Sequence, residues 1–298
     1  MEPASPDPRR IALAGASGTI GAAVARRLEA DGHRVIAVPR RALGDGAQLA
    51  ALFAEGPPEF VISCIASRSG APEDAEAVDY RANCALLAAA QATGARQFIL
   101  LSAICVQKPL LAFQHAKLKF EAELAASGIG FTIVRPTAFF KSLSGQVKRV
   151  KAGKPFLIFG DGNLTHCKPI SDDDLALFIA GCIGNREALG KVLPIGGPGP
   201  ALSLRDAGVL LFAAAGEEPR FRSVSPRMFT LAAKVLGLGA PFAAWFAEKA
   251  EYARIAHYYA TESMLILDPV TGEYSADLTP EFGSETLESH YRRLLAQG

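Results

Sequence analysis

The stretch Arg10-Ile11-Ala12-Leu13-Ala14-Gly15-Ala16-Ser17-Gly18-Thr19-Ile20-Gly21 runs an apolar strand directly into glycines spaced Gly-x-x-Gly-x-x-Gly. Each glycine answers a separate demand of a phosphate-binding turn. Gly15 takes the tight turn off the strand, Gly18 lets backbone approach a pyrophosphate, and Gly21 lets the next helix pack closely. Ile20, Val24 and Leu28 then recur at helical spacing. The N–H groups opening that helix, around Ser17, Thr19 and Ile20, face the phosphates, where the helix dipole favours negative charge. Glycines alone also make turns that hold nothing; the strand before them and the helix after them are what point to a dinucleotide cradle.

Working outward, strand-like runs at 11–14, 34–38, 60–65, 97–102 and 130–134 alternate with longer helical patterns. Nearly continuous apolar strands separated by helices predict an α/β fold, a Rossmann-type doubly wound parallel sheet covered on both faces. Residues 1–9 are Pro-rich and charged and read as a tail. Residues 10–150 read as the nucleotide-binding core. Residues 151–298 read as a smaller, mainly substrate-binding C-terminal lobe, with some segments returning to the core sheet. Within that lobe Met228, Leu231, Ala232, Val235 and Leu236, then Phe242, Trp245, Phe246, Lys249, Tyr252, Ile255 and Tyr259, recur at helical spacing, a pattern that ordinarily marks core. Arg227 and Arg254 stand beside that run as cations able to meet a carboxylate at the rim of an apolar slot.

Composition narrows the function classes. Half of the 298 residues are hydrophobic and the formal net charge is +1, so no global field draws the chain to nucleic acid or anionic lipid. Apolar stretches such as 207–216 fall short of the roughly 18 residues of a membrane span. Peripheral contact with a membrane stays open, although no strongly basic amphipathic face is present. The five cysteines form no C-x-x-C pair, which suits a reducing cytoplasm and speaks against a structural metal site. Asp172-Asp173-Asp174 reads as the acidic start of a helix rather than as a metal site.

The second strand selects the dinucleotide. An acidic residue at its end would hold a ribose 2′-hydroxyl; here Val38 is followed by Pro39-Arg40-Arg41, and two guanidinium groups suit the 2′-phosphate of NADPH. Solvated surface arginines are the plainer alternative. Short-chain dehydrogenases carry Tyr-x-x-x-Lys after the fourth strand, and the matching segment here is Phe113-Gln114-His115-Ala116-Lys117. Phe113 cannot give a proton, so carbonyl reduction with a phenol acid is disfavoured. Lys117 remains as the catalytic candidate, able to fix the nicotinamide ribose and lend positive charge; a solvent lysine on an amphipathic helix is the alternative. Position in the fold adds Ala66 and Ser67 beneath the ribose and pyrophosphate, Ser102 at the end of the fourth strand, and Pro136 and Phe139 beside the nicotinamide. Phe140 and Lys141 follow as substrate contacts. Core packing is an equal reading for the two phenylalanines.

The run Phe98-Ile99-Leu100-Leu101-Ser102-Ala103-Ile104-Cys105-Val106-Gln107-Lys108-Pro109-Leu110-Leu111, continuing through Lys117 to Leu124, resembles the NADPH-dependent 8-vinyl reductases of divinyl chlorophyllides and protochlorophyllides. These belong to the atypical short-chain dehydrogenase/reductase superfamily. Further matches are Val61-Ile62-Ser63-Cys64-Ile65-Ala66-Ser67-Arg68, Ile133-Val134-Arg135-Pro136-Thr137, Phe159-Gly160-Asp161-Gly162 and Ala260-Thr261-Glu262-Ser263-Met264. The likeness departs at 41–50, where the connection after the second strand is short. It implies a tetrapyrrole substrate, NADPH as donor, no metal, and reduction of a conjugated vinyl group that needs no phenol. Lys117, His115, Lys141 and water all stay open as proton source. An NADP-sensing regulator without turnover, or an atypical reductase or isomerase of another conjugated substrate, would tolerate the same loss of tyrosine.

Overall fold

A computed structural model describes residues 8–239 and 243–296. Strand β1 (Arg10–Ala14) is followed by helix α1 (Thr19–Ala30), β2 (Arg34–Val38), α2 (Gly46–Glu55), β3 (Phe60–Ser63) and α3 (Asn83–Ala92). Strand β4 (Gln97–Leu101), helix α4 (Ala112–Ala126) and β5 (Gly130–Pro136) continue the alternation. Beyond them lie β6 (Phe156–Phe159), α5 (Asp172–Gly181), β7 (Lys191–Ile195), α6 (Leu204–Ala215) and β8 (Phe221–Val224). Helices α7 (Arg227–Gly239), α8 (Ala244–Thr261) and α9 (Leu287–Ala296) end the chain.

The main sheet has six strands in the order β2-β1-β3-β4-β5-β7. The pairings of β1 with β2 and β3, of β3 with β4, and of β4 with β5 are all parallel. The fold is the Rossmann-type sheet expected from the sequence. Its chain order reverses direction between β1 and β3, which opens the crevice where such sheets bind ligands. The short connection after β2 forms a 3-10 turn (Arg40–Gly44) and then α2, whose first N–H groups at Ala47 and Gln48 are capped by the Asp45 carboxylate.

The chain divides into two compact units. The first holds 8–106, 112–135 and 175–193; the second holds 107–111, 136–174 and the described residues from 194 onward. The second unit takes up the chain at Pro136, the last residue of β5, and the first unit regains it from Leu175 in α5 to Leu193 in β7. The core of the first unit includes Ala12, Phe53, Val61, Phe98, Phe120 and Ile133. The second unit is built around Phe140, Val150, Phe156, Leu211, Phe212 and Tyr291.

The apolar run on α7 and α8 departs from its expected role as core. Met228, Leu231 and Val235 are 58%, 65% and 60% exposed, and Trp245, Tyr252 and Tyr259 also face outward. The buried side of α8 is instead carried by Ala250, Ala253, Tyr258 and Ala260. Small residues let a helix approach its neighbour closely, so they take the inner face and the long side chains are left outside. Phe242 lies outside the described residues. No described helix is long and apolar enough to cross a membrane.

Candidate active site

The glycine turn carries its geometry in three separate ways. Gly15 adopts φ +86°, and a Cβ there would lie 2.7 Å from the Cys64 carbonyl oxygen just beyond β3. At Gly21 a Cβ would come within 2.0 Å of the Gly15 oxygen, so the first turn of α1 packs directly on the loop that precedes it. Gly18 donates its N–H to the Gly15 oxygen at 2.9 Å, and α1 begins at this residue with no side-chain cap and no acidic residue in its first turn. Ser17, Gly18 and Thr19 are exposed at the crest of the loop while Ile20 is buried under it. An uncapped helix start behind a loop that admits no Cβ fits a pyrophosphate, whose oxygens take the helix N–H groups.

Arg40 and Arg41 are exposed on the 3-10 turn after β2. Arg40 is near enough to act on Asp74. Burial pushes that carboxyl up, but hydrogen bonds from Ser69 and from the Arg68 backbone, with the Arg40 charge, bring it below the usual carboxylate value. Arg41 is the cation of the pair that is not drawn toward this carboxylate.

Lys117 lies on α4 with its side chain only 10% exposed, and its Nζ is 2.8 Å from Oδ1 of Asp79, which has no exposed side-chain surface. Asp79 sits in a π-helical stretch (Ala75–Ala82) that leads into α3. π-Turns of this kind gather at functional sites. The backbone N–H of Ser67, just past β3, points at the same carboxylate from 3.4 Å. Asn83 braces the arrangement, donating to the Asp79 carbonyl at 3.0 Å and accepting from Ser63 Oγ at 2.6 Å. The structure therefore joins Ser67 and Lys117 through Asp79, a residue that sequence reasoning missed. Its signal was faint: one acid beside Val78 and Ala82, four residues before Asn83.

Ser102 is buried at the end of β4, and its hydroxyl donates to Glu121 Oε1 at 2.5 Å. Glu121 is also held by the Arg135 guanidinium. The Ser102 proton is thus committed to a carboxylate on α4. His115 is exposed on the same helix. Ala66 is exposed after β3.

In the second unit Pro136 is buried, Phe139 is half-buried and Lys141 is exposed. Phe140 corrects an expectation. Its ring is 2% exposed and packs among Val147, Val150, Phe156 and Tyr291, so it holds the core together and offers no face to a substrate. The acidic run at α5 is a helix start capped by Ser171 Oγ, which accepts from the Asp174 N–H at 3.0 Å. Burial pushes the thiols of Cys64 and Cys167 up to about 12 and that of Cys182 to about 11, which makes all three inert near neutral pH.

Residues 42–186 match a family model described as NAD(P)H-binding. The divinyl chlorophyllide a 8-vinyl-reductase of Oryza sativa subsp. indica, a chloroplastic protein, is 45% identical over 99% of this chain and 80% of its own length. The chain belongs to the divinyl chlorophyllide a 8-vinyl-reductase family. Solved structures share the fold of this 8-vinyl-reductase family member at lower identity. Leucoanthocyanidin reductase from Vitis vinifera superposes with a TM-score of 0.68 at 18% identity, covering 96% of this chain and 99% of that one. The NADPH-dependent quinone oxidoreductase of Escherichia coli, solved with NADPH, gives a TM-score of 0.64 at 19% identity, covering 95% and 99%. A nicotinamide dinucleotide is the cofactor that the family model, the glycine turn and the uncapped helix start agree on.

Proposed function

We propose that this chain reduces the 8-vinyl group of divinyl chlorophyllide or divinyl protochlorophyllide to ethyl, with NADPH as donor. The observation that carries the reading is the 45% identity to the rice reductase across 99% of the chain. Phe113 in place of a phenol acid agrees with it. Carbonyl reduction needs a proton delivered to oxygen, whereas a vinyl group conjugated to a macrocycle does not. Its terminal carbon accepts the hydride, the π electrons pass into the ring, and the inner carbon then takes a proton. One NADPH is oxidised and one proton consumed for each vinyl group that becomes ethyl.

When bound, the dinucleotide supplies the hydride. The chain's own part is to hold and orient. The N-terminus of α1 receives the pyrophosphate, and Arg41 with Arg40 receives the 2′-phosphate and sets the preference for NADPH over NADH. Lys117, fixed by Asp79, holds the ribose next to the nicotinamide and places a positive charge where negative charge develops on the substrate. Lys117, His115, Lys141 and water remain the groups from which the inner carbon takes its proton.

The test is aerobic incubation of the purified protein with NADPH and divinyl chlorophyllide, followed by separation of the pigments. Monovinyl product with one NADPH consumed per molecule, in the absence of added flavin or iron, is the expected result. A protein that binds NADPH and leaves the pigment unchanged would be a cofactor sensor instead.

A further inference from the structure

The second unit contains a cleft of about 440 Å³ walled by α7, α8 and residues 110–111. That volume lies within the ~300–1,000 Å³ of small-molecule sites. Its inner surface is apolar. Leu111 and Tyr258 are 4% and 3% exposed, and the Tyr258 hydroxyl donates to the Lys108 carbonyl at 3.1 Å, which fixes the phenol ring in place. Ala233 and Gly237 line the α7 side, and a Cβ built on Gly237 would meet nothing within 4 Å, so the cleft stays open there because a side chain is missing.

The rim is cationic. Lys234 and Arg254 line the cleft, and Lys234 has no ion-pair partner among the described residues. Arg254 lies 2.6 Å from Glu251 and is still 53% exposed at its side chain. Among the described residues of the lining the one acid, Glu262, is already neutralised, with Lys108 at 2.7 Å and the Tyr274 hydroxyl at 2.8 Å. Apolar walls with unbalanced positive charge at the mouth suit a flat, hydrophobic molecule that carries a carboxylate.

We propose that this cleft holds the pigment, with its macrocycle against Leu110, which is exposed, and the Ala233 and Gly237 side of α7, and with its propionate carboxylate on Lys234 and Arg254. The proposal rests on the reductase reading above and deepens it by naming where the tetrapyrrole sits. Lys234 and Arg254 act here as substrate-binding residues that take no part in hydride donation.

Divinyl chlorophyllide binding is followed by the change in pigment absorbance and fluorescence, independently of turnover, for the wild type and for Lys234→Glu, Arg254→Gln and Gly237→Leu. Lys234→Glu lies on an exposed position and Gly237→Leu replaces glycine within a helix, so thermal unfolding of these two should be unchanged or raised, whereas Arg254→Gln takes the guanidinium from buried Glu251 and should lower it. Each substitution should weaken pigment binding about tenfold or more, raise KM for pigment, and leave KM for NADPH as it was. The pigment methyl ester should bind the wild type weakly and be indifferent to Lys234→Glu. Wild-type pigment affinity in all three variants overturns the cleft, even if the wild type turns the pigment over. Loss of binding in the variants beside a wild type that binds without reducing supports the cleft and removes the proposed activity. A wild type that binds no pigment removes both.

Discussion

Lys117 and Asp79 form a buried ion pair, 2.8 Å from ammonium nitrogen to carboxylate oxygen, between helix α4 and the π-helical stretch that leads into α3. Breaking such a pair leaves an uncompensated charge away from water, which costs about 3–5 kcal/mol. Asp79→Ala and Lys117→Met should each destabilise the protein on that scale, while Asp79→Asn combined with Lys117→Met should cost less than either alone. Denaturant unfolding of the set reads the coupling. In kinetics, Asp79→Asn should lower kcat and raise KM for NADPH by displacing Lys117, and Asp79→Glu should recover part of both.

The glycine turn separates folding from binding. Alanine at Gly21 would place its Cβ 2.0 Å from the Gly15 oxygen, with backbone on both sides of the clash. Gly21→Ala is expected to lose about 3 kcal/mol of stability, as overpacked sites do, and all NADPH affinity. At Gly18 the corresponding distance is 3.3 Å and the residue is exposed. Gly18→Ala should stay within about 1 kcal/mol of the wild type and still bind NADPH about tenfold more weakly, because the added methyl stands where a phosphate approaches. Thermal unfolding and nucleotide titration distinguish the two.

Cofactor preference should reside in Arg41 more than in Arg40, whose field is shared with Asp74. Arg41→Ala is expected to raise KM for NADPH about tenfold, the scale of one charge-assisted hydrogen bond, without changing KM for NADH. Arg40→Ala should have the smaller effect. Steady-state kinetics with both nucleotides at low ionic strength, where surface charges are least screened, gives the ratio.

The strand-turn-helix unit at 10–30 was legible because glycine spacing and apolar periodicity state a backbone requirement directly. The same holds for β2 to β5, whose nearly continuous apolar runs need cover on both faces. Asp79 was not legible, since a single acid acquires meaning only when a lysine 38 positions later is folded against it. The α7 and α8 stripe shows a different limit. Periodicity reveals that Met228, Leu231 and Val235 share a face, but only the packing through Ala250 and Ala253 shows that this face points outward. Phe140 was misassigned for a similar reason, because a phenylalanine after a strand looks alike whether it lines a pocket or fills a core.

His290 on α9 ties the last helix to the second unit, with Nε2 3.0 Å from Ser144 Oγ and its ring centroid 5.3 Å from that of Phe140. Burial lowers its pKa from 6.5, the Arg293 charge lowers it further, and Glu285 opposes them. A histidine whose folded pKa is depressed takes up its proton more readily when unfolded. Its contribution to stability is present above about pH 6.5 and is lost as pH falls through the unfolded value and then the folded one. The melting temperature should therefore fall between pH 7 and pH 5. In His290→Gln, which keeps a hydrogen-bonding side chain and cannot titrate, that slope should be shallower. Equal slopes in the two proteins would move the acid sensitivity to other groups.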